Sequence, residues 1–357
     1  VSKDPASLVR EEIRALKAYH VSPAQGLVKL DAMENPYRLP EPLRREMGER
    51  LAQVAVNRYP DPNAPQLRAR LREAMGVPEG AEILLGNGSD EILQIISLAL
   101  AKPGAVALGP EPSFVMYRMS AIAAGMRYVA VPLAADFSLD EAALLAAIEE
   151  HRPALVWIAY PNNPTGNLFR REAILRAIDA APGLVVIDEA YCAFSGGATL
   201  MGELERVPNL VVVRTVSKLG LAGLRVGCAI GAREWLEEFE KLRLPYNVNS
   251  LSAAAGELLL AHHDALEEQT RAIVADRAAL EVELDAIPGI VRFPSAANFI
   301  LVRVPDGPST FEALRQRGIL VRTFHGSHPL LANALRLTVG APEENRRLVE
   351  ALRSILR

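Results

Sequence analysis

Between about residue 80 and residue 230 the chain alternates short, dense runs of Val, Ile and Leu with longer stretches of helical periodicity. The runs are Glu82–Leu85, Ala105–Leu108, Tyr128–Pro132, Leu155–Tyr160, Leu184–Ile187, Leu210–Val213 and Val226–Ile230. They lack the apolar–polar alternation of a half-exposed strand. Runs of this kind belong to strands buried on both faces, so they predict a mostly parallel sheet covered by helices. Between them, Leu139–Glu150 is amphipathic, and Ser138 followed by Glu141 reads as a capping box at its start. After about residue 245 the texture changes. A long helical stretch from Leu251 to Asp285, broken near His263–Asp264, precedes strand-like Asn298–Val304, Ile319–Arg322 and Leu335–Val339 and a closing helix. The pattern predicts a large α/β domain over 51–245 and a smaller α+β domain over 246–357. Residues 1–50, punctuated by Pro23, Pro36, Pro40 and Pro42, read as an arm that must dock to be ordered.

A length of 357 residues agrees with two domains. Half the residues are hydrophobic and 23% are charged, the balance of a globular enzyme, which excludes a mainly disordered chain. With 39 basic and 43 acidic residues the net charge is −4, so no basic field exists to hold nucleic acid or anionic lipid. Cys192 and Cys228 fit neither a metal pattern nor a redox pair, so no disulfide framework is expected and a reducing cytoplasm is the expected compartment. The longest apolar stretch, Ile92 to Ala101, is interrupted by Gln94 and Ser97 and is too short to cross a membrane. Lys3, Arg10, Glu11, Glu12 and Arg14 leave no uncharged signal core near the start. The His262–His263 pair has no third ligand in view, so no metal is expected.

Ligands of open α/β sheets bind beyond the carboxyl ends of the strands, so the residues just past each apolar run are the candidates for chemistry. After Leu85 comes Gly86-Asn87-Gly88-Ser89-Asp90-Glu91, a glycine turn leading into a helix whose first amides suit a phosphate. After Tyr160 comes Pro161-Asn162-Asn163-Pro164-Thr165-Gly166. After Ile187 comes Asp188-Glu189-Ala190-Tyr191. After Val213 comes Arg214-Thr215-Val216-Ser217-Lys218, with Arg225 shortly beyond. Each element alone has an ordinary explanation as a turn or a solvated charge. Together they supply a primary amine, an acid, hydrogen-bond donors and a phosphate cradle, which are the needs of pyridoxal phosphate. A nicotinamide site would explain Gly86-Asn87-Gly88 with Glu111, but it leaves Lys218, Asp188 and Asn163 without a task.

These residues resemble those of the fold-type I pyridoxal-phosphate-dependent aminotransferases. Asn163-Pro164-Thr165-Gly166, Asp188-Glu189-Ala190-Tyr191 and Ser217-Lys218 carry the likeness, with Leu335-Arg336-Leu337-Thr338-Val339-Gly340. Glu34-Asn35-Pro36-Tyr37 and Arg58-Tyr59-Pro60-Asp61 are similar to elements of the histidinol-phosphate group within that family. The matches run from about Leu30 to Gly340. One departure is that many relatives place the phosphate arginine one residue further from the lysine than Arg225 lies from Lys218.

The resemblance implies a role for each of these residues. Lys218 anchors the cofactor and shuttles the substrate's α-proton, Asp188 faces the ring nitrogen, and Asn163 and Tyr191 donate to the ring oxygen. Phe114 stacks on the ring, while Ser89, Asp90, Ser217 and Arg225 hold the phosphate. Tyr59 reaches the site of a neighbouring subunit, so a homodimer is implied. Tyr19, Arg322 and Arg336 bind substrate. The implied reaction is transfer of the amino group of L-histidinol phosphate to 2-oxoglutarate. An aromatic or broad-range aminotransferase and a threonine-phosphate decarboxylase share the same cofactor residues and remain open at this point.

Overall fold

The computed structural model describes residues 4–18 and 22–357. Its strands are β1 (Val28–Leu30), β2 (Glu82–Asn87), β3 (Val106–Glu111), β4 (Arg127–Pro132), β5 (Leu155–Ala159) and β6 (Leu184–Asp188). Further along the chain come β7 (Leu210–Thr215), β8 (Val226–Gly231), β9 (Val291–Arg292), β10 (Phe299–Arg303), β11 (Ile319–Thr323) and β12 (Ala334–Thr338).

The larger sheet has seven strands in the order β2-β8-β7-β6-β5-β3-β4. All of its neighbours are parallel except β8, which runs antiparallel to both β2 and β7. Each apolar run therefore forms a strand, and each strand feeds both faces. Val156, Ile158, Val185, Ile187 and Val212 point into one core. Leu155, Trp157, Leu184, Val186, Val211 and Val213 point into the other. Burial on both sides is why these runs carry no polar alternation.

The smaller sheet has the order β1-β11-β12-β10-β9 and is antiparallel except where β1 pairs with β11. One face packs Leu30, Ile300, Val302, Val321, Leu335 and Leu337 against Leu348 and Leu352 of the closing helix Pro342–Ile355. Strand β1 comes from the segment read as an arm. Three residues show no periodicity of their own, and the strand exists because β11 offers it an edge.

The helical stretch after residue 245 breaks one residue before the expected place. Helix Ser250–Ala261 is capped by Asn249, whose side chain accepts from the Ser252 amide, and His263–Asp285 begins after His262 leaves helical geometry. The capping box expected at Ser138 is not formed. Helix Glu141–His151 starts instead from Asp140, which accepts from the Ala143 amide at 3.0 Å. Ser138 donates its hydroxyl to Asp136 at 2.6 Å. Asp140 stands nearer the helix and wins the cap because it reaches the free amides directly.

Candidate active site

The carboxyl ends of β2, β5, β6 and β7 open onto one edge of the larger sheet. There the smaller sheet closes a cavity of about 500 Å³. Asp188, Lys218, Tyr191, Asn163, Phe114, Ser89, Asp90, Ser217, Arg225, Arg322 and Arg336 all line it.

One corner is built for an anion. After β2 the chain turns at Gly88, φ +83°, into helix Ser89–Leu100. The first amides of this helix have no intrahelical acceptor and sit at the positive end of its dipole. A Cβ on Gly88 would collide with the Arg225 guanidinium. A Cβ on Gly227, in the neighbouring strand, would stand 2.5 Å from the Ser89 amide nitrogen. Glycine at both positions lets the helix start and the arginine approach each other. The shortened loop after Lys218 still delivers Arg225 to this corner. Its Nη2 lies 3.7 Å from the Asp90 carboxylate and its Nη1 donates to the Ser217 hydroxyl at 3.4 Å.

Asp188 ends β6 and is buried. Its oxygens accept from the Ala190 amide at 3.0 Å and the Tyr117 hydroxyl at 2.8 Å. Burial pushes its carboxyl up to about 6, against the pull of those two donors. Tyr117 is fully packed, its ring stacked on Trp157 and met edge-on by Phe114.

Lys218, half-buried beyond β7, donates to the Ala32 carbonyl at 3.4 Å. Desolvation brings its amine down to about 8, with the positive charge of Arg336 acting in the same direction. Asn163 donates to the Tyr191 hydroxyl at 3.3 Å. Its own oxygen accepts from Arg336 at 2.6 Å, and Arg336 also donates to the Asp31 carbonyl at 2.8 Å. Arg336 is only 4% exposed, its guanidinium lying over Phe299 and Phe324. Arg322 on β11 is its direct cross-strand partner.

Of the expected residues, Tyr59 does not line this cavity. Tyr59 is 81% exposed and stacks on Tyr246, outside the cavity of its own chain. Tyr19 lies outside the described residues. Sequence reasoning passed over Tyr117, Thr215 and Asp31. Thr215 lines the cavity and accepts from the Ser217 amide at 3.1 Å. Tyr117 stands three residues after Phe114 at the same helix start, a spacing that could have marked it.

The donor set fits pyridoxal phosphate. Asp188 is a buried carboxylate served by two neutral donors, so a protonated ring nitrogen would supply the cation it lacks. The lowered amine of Lys218 suits attack on an aldehyde. Asn163 and Tyr191 offer donors for the ring oxygen, and the Gly88 corner offers amides, a hydroxyl and a guanidinium for a dianion.

Comparison with known proteins agrees with this geometry. The sequence profile of the family described as "Aminotransferase class I and II" matches residues 25–352. The chain is 52% identical to a histidinol-phosphate aminotransferase of Chromobacterium violaceum, over 97% of each chain. It is 54% identical to histidinol-phosphate aminotransferase 1 of Burkholderia lata, over 99% of each. Among solved structures it superposes on the histidinol-phosphate aminotransferase of Sinorhizobium meliloti in complex with pyridoxal 5'-phosphate. The TM-score is 0.87 at 26% identity, covering 98% of each chain.

Proposed function

The chain belongs to the class I and II aminotransferases, in the histidinol-phosphate branch, and on that footing we propose its reaction. It transfers the amino group of L-histidinol phosphate to 2-oxoglutarate, giving imidazole acetol phosphate and L-glutamate. The enzyme is a pyridoxal-phosphate-dependent transaminase. The observation that carries the substrate reading is the pair Arg322 and Arg336, adjacent on β11 and β12 and facing the cavity that holds Lys218. Histidinol phosphate bears a phosphate ester where an amino acid bears its α-carboxylate. The site must therefore hold a dianion in one half-reaction and glutamate's carboxylates in the other, and two planar guanidinium forks can regroup around either.

The cofactor, when bound, supplies an electron sink for the charge left on the substrate's Cα as its proton leaves. Lys218 Nζ takes that proton and returns it. Desolvation lowers this amine to about 8, so more of it is unprotonated near neutral pH than of an ordinary lysine. Asp188 would hold the proton on the ring nitrogen, and that cation would offset the cost of burying the carboxylate. Asn163 and Tyr191 would hold the ring oxygen, Phe114 would stack on the ring, and the Ser89 and Asp90 amides with Ser217 and Arg225 would hold the phosphate. Arg322 is the residue proposed for the substrate phosphate, and the resemblance implies Tyr19 as a second.

A homodimer belongs to the same reading. An exposed Tyr59 that stacks on Tyr246 and does not line its own cavity supports service to a neighbour's phosphate. The division into arm (1–50), large domain (51–245) and small domain (246–357) sets the cavity between two bodies that both contribute to it. The free thiols Cys192 and Cys228 accord with a cytoplasmic setting.

Two substitutions test the anion logic. Arg322→Ala should lower kcat/KM for histidinol phosphate by about 10- to 150-fold and spare phenylalanine, since one charge-assisted bond contributes roughly 1.5–3 kcal/mol. Arg336→Ala should damage every substrate. Equal losses for both substrates in Arg322→Ala would favour a broad-range aminotransferase.

A further inference from the structure

Helix Ser89–Leu100 begins without a side-chain cap. Its N-cap residue is Gly88, which has no side chain to offer, and no cap bond forms there. A Ser, Thr or Asp at that place would bond one of the first amides of the helix. Glu91 stands at the third helical position, from which a capping-box glutamate reaches back to the N-cap amide. Here it reaches one residue further, and its Oε2 accepts from the Asn87 amide at 2.6 Å. Gly88 donates its own amide to the Gly86 carbonyl at 2.9 Å. The turn is thus closed without using the amides of Ser89 and Asp90, the two residues of the turn that line the cavity.

A second element holds Glu91 from outside the turn. Asn247 Nδ2 donates to the same Oε2 at 2.6 Å and to the Leu85 carbonyl at 3.2 Å. Its Oδ1 accepts from Arg243 at 2.7 Å, which sets the orientation of the side-chain amide. One carboxylate oxygen therefore joins the end of β2, the first turn of the helix and the segment that carries Asn247. Hydrogen bonds to an ionised acceptor are the stronger kind. Asn247 follows Tyr246, which is held at φ +62° and stacked on Tyr59.

Charge alone argues against a glutamate here. Asp90 already stands in the same first turn, and a second carboxylate beside it repels a dianion. A residue whose charge opposes the ligand, yet which ties together the turn that receives it, has a geometric task. We infer that Glu91 is a positioning residue, which holds the turn so that the Ser89 and Asp90 amides meet the phosphate of pyridoxal phosphate, with Asn247 as its brace. The inference rests on the reading of this corner as the phosphate site and goes beyond it by assigning what sets its shape. Amides fixed in advance need no ordering when the anion arrives.

The test measures binding of pyridoxal phosphate and of pyridoxal, which lacks the phosphate, to the purified enzyme after its cofactor is dialysed away. Equilibrium dialysis and the visible absorbance of the cofactor give the two affinities, and thermal unfolding monitors the fold. Glu91→Ala should weaken pyridoxal phosphate about tenfold or more and leave pyridoxal within about twofold. Glu91→Gln keeps an acceptor oxygen and sheds the charge, so it should bind pyridoxal phosphate at least as tightly as wild type. Asn247→Ala should weaken pyridoxal phosphate in the same direction, and adding it to Glu91→Ala should cost little more, since both act through one carboxylate. If Glu91→Ala does not fold, Asn247→Ala decides by whether it weakens pyridoxal phosphate and spares pyridoxal. Unchanged or tighter binding of pyridoxal phosphate by Glu91→Ala, as loss of charge alone predicts, overturns the inference. A Gln variant as weak as Ala, or equal loss for both ligands, overturns it as well. A wild type that holds both ligands equally overturns the phosphate site itself.

Discussion

At Asp188 the cost of burial is what makes the residue useful. Its folded-state value of about 6 stands above the ordinary 3.8, so without the cofactor the folded chain binds this proton more tightly than the unfolded chain. The stability contributed by that proton is full below about pH 4 and is lost as pH rises through about 6. Two units correspond to about 3 kcal/mol. Denaturant unfolding of the cofactor-free protein should show wild type losing about that much relative to Asp188→Asn between pH 4 and pH 7. Parallel curves for the two would show that Asp188 is not desolvated in the folded chain. Pyridoxal phosphate should flatten the wild-type slope by supplying a cation. Asp188, Lys218 and Asn163 were legible in the sequence because each comes just past an apolar run, and a strand end fixes where its next side chains go. Tyr117 and Asp31 were not. A tyrosine on an amphipathic helix looks like core, and an acid in a proline-punctuated arm looks like surface until a sheet edge captures it.

At the scale of elements, strands buried on both faces betray themselves through unbroken Val, Ile and Leu, and all seven runs of the larger sheet were readable for that reason. Strand β1 was hidden because a three-residue strand is specified by its partner β11, far along the chain, and not by a period of its own. The antiparallel direction of β8 was equally invisible, since direction leaves no mark on a strand buried on both sides. It has a consequence for the site. Because β8 begins where β2 ends, Gly227 lies against the Ser89 amide and Arg225 against Gly88, and the anion corner is assembled by that reversal. The cap at Asp140 in place of Ser138 shows a local competition between two suitable side chains that spacing alone does not settle.

For the molecule as a whole, the cavity exists because two sheets meet. The larger contributes Asp188, Asn163 and Lys218, and the smaller contributes Arg322 and Arg336, with Asp31 entering just past the end of β1. If a second copy contributes Tyr59, two inactive chains can repair each other. Mixing Lys218→Ala with Tyr59→Ala should restore partial activity through hybrid dimers carrying one intact site, and an active monomer in sedimentation would rule this out. The reaction itself is open to a direct measurement: amino transfer from histidinol phosphate, phenylalanine and phosphothreonine, run in parallel with 2-oxoglutarate on the purified holoenzyme. Histidinol phosphate should give glutamate with the highest kcat/KM of the three, and phosphothreonine should release no carbon dioxide. A higher kcat/KM for phenylalanine, or decarboxylation of phosphothreonine, would contradict the assignment.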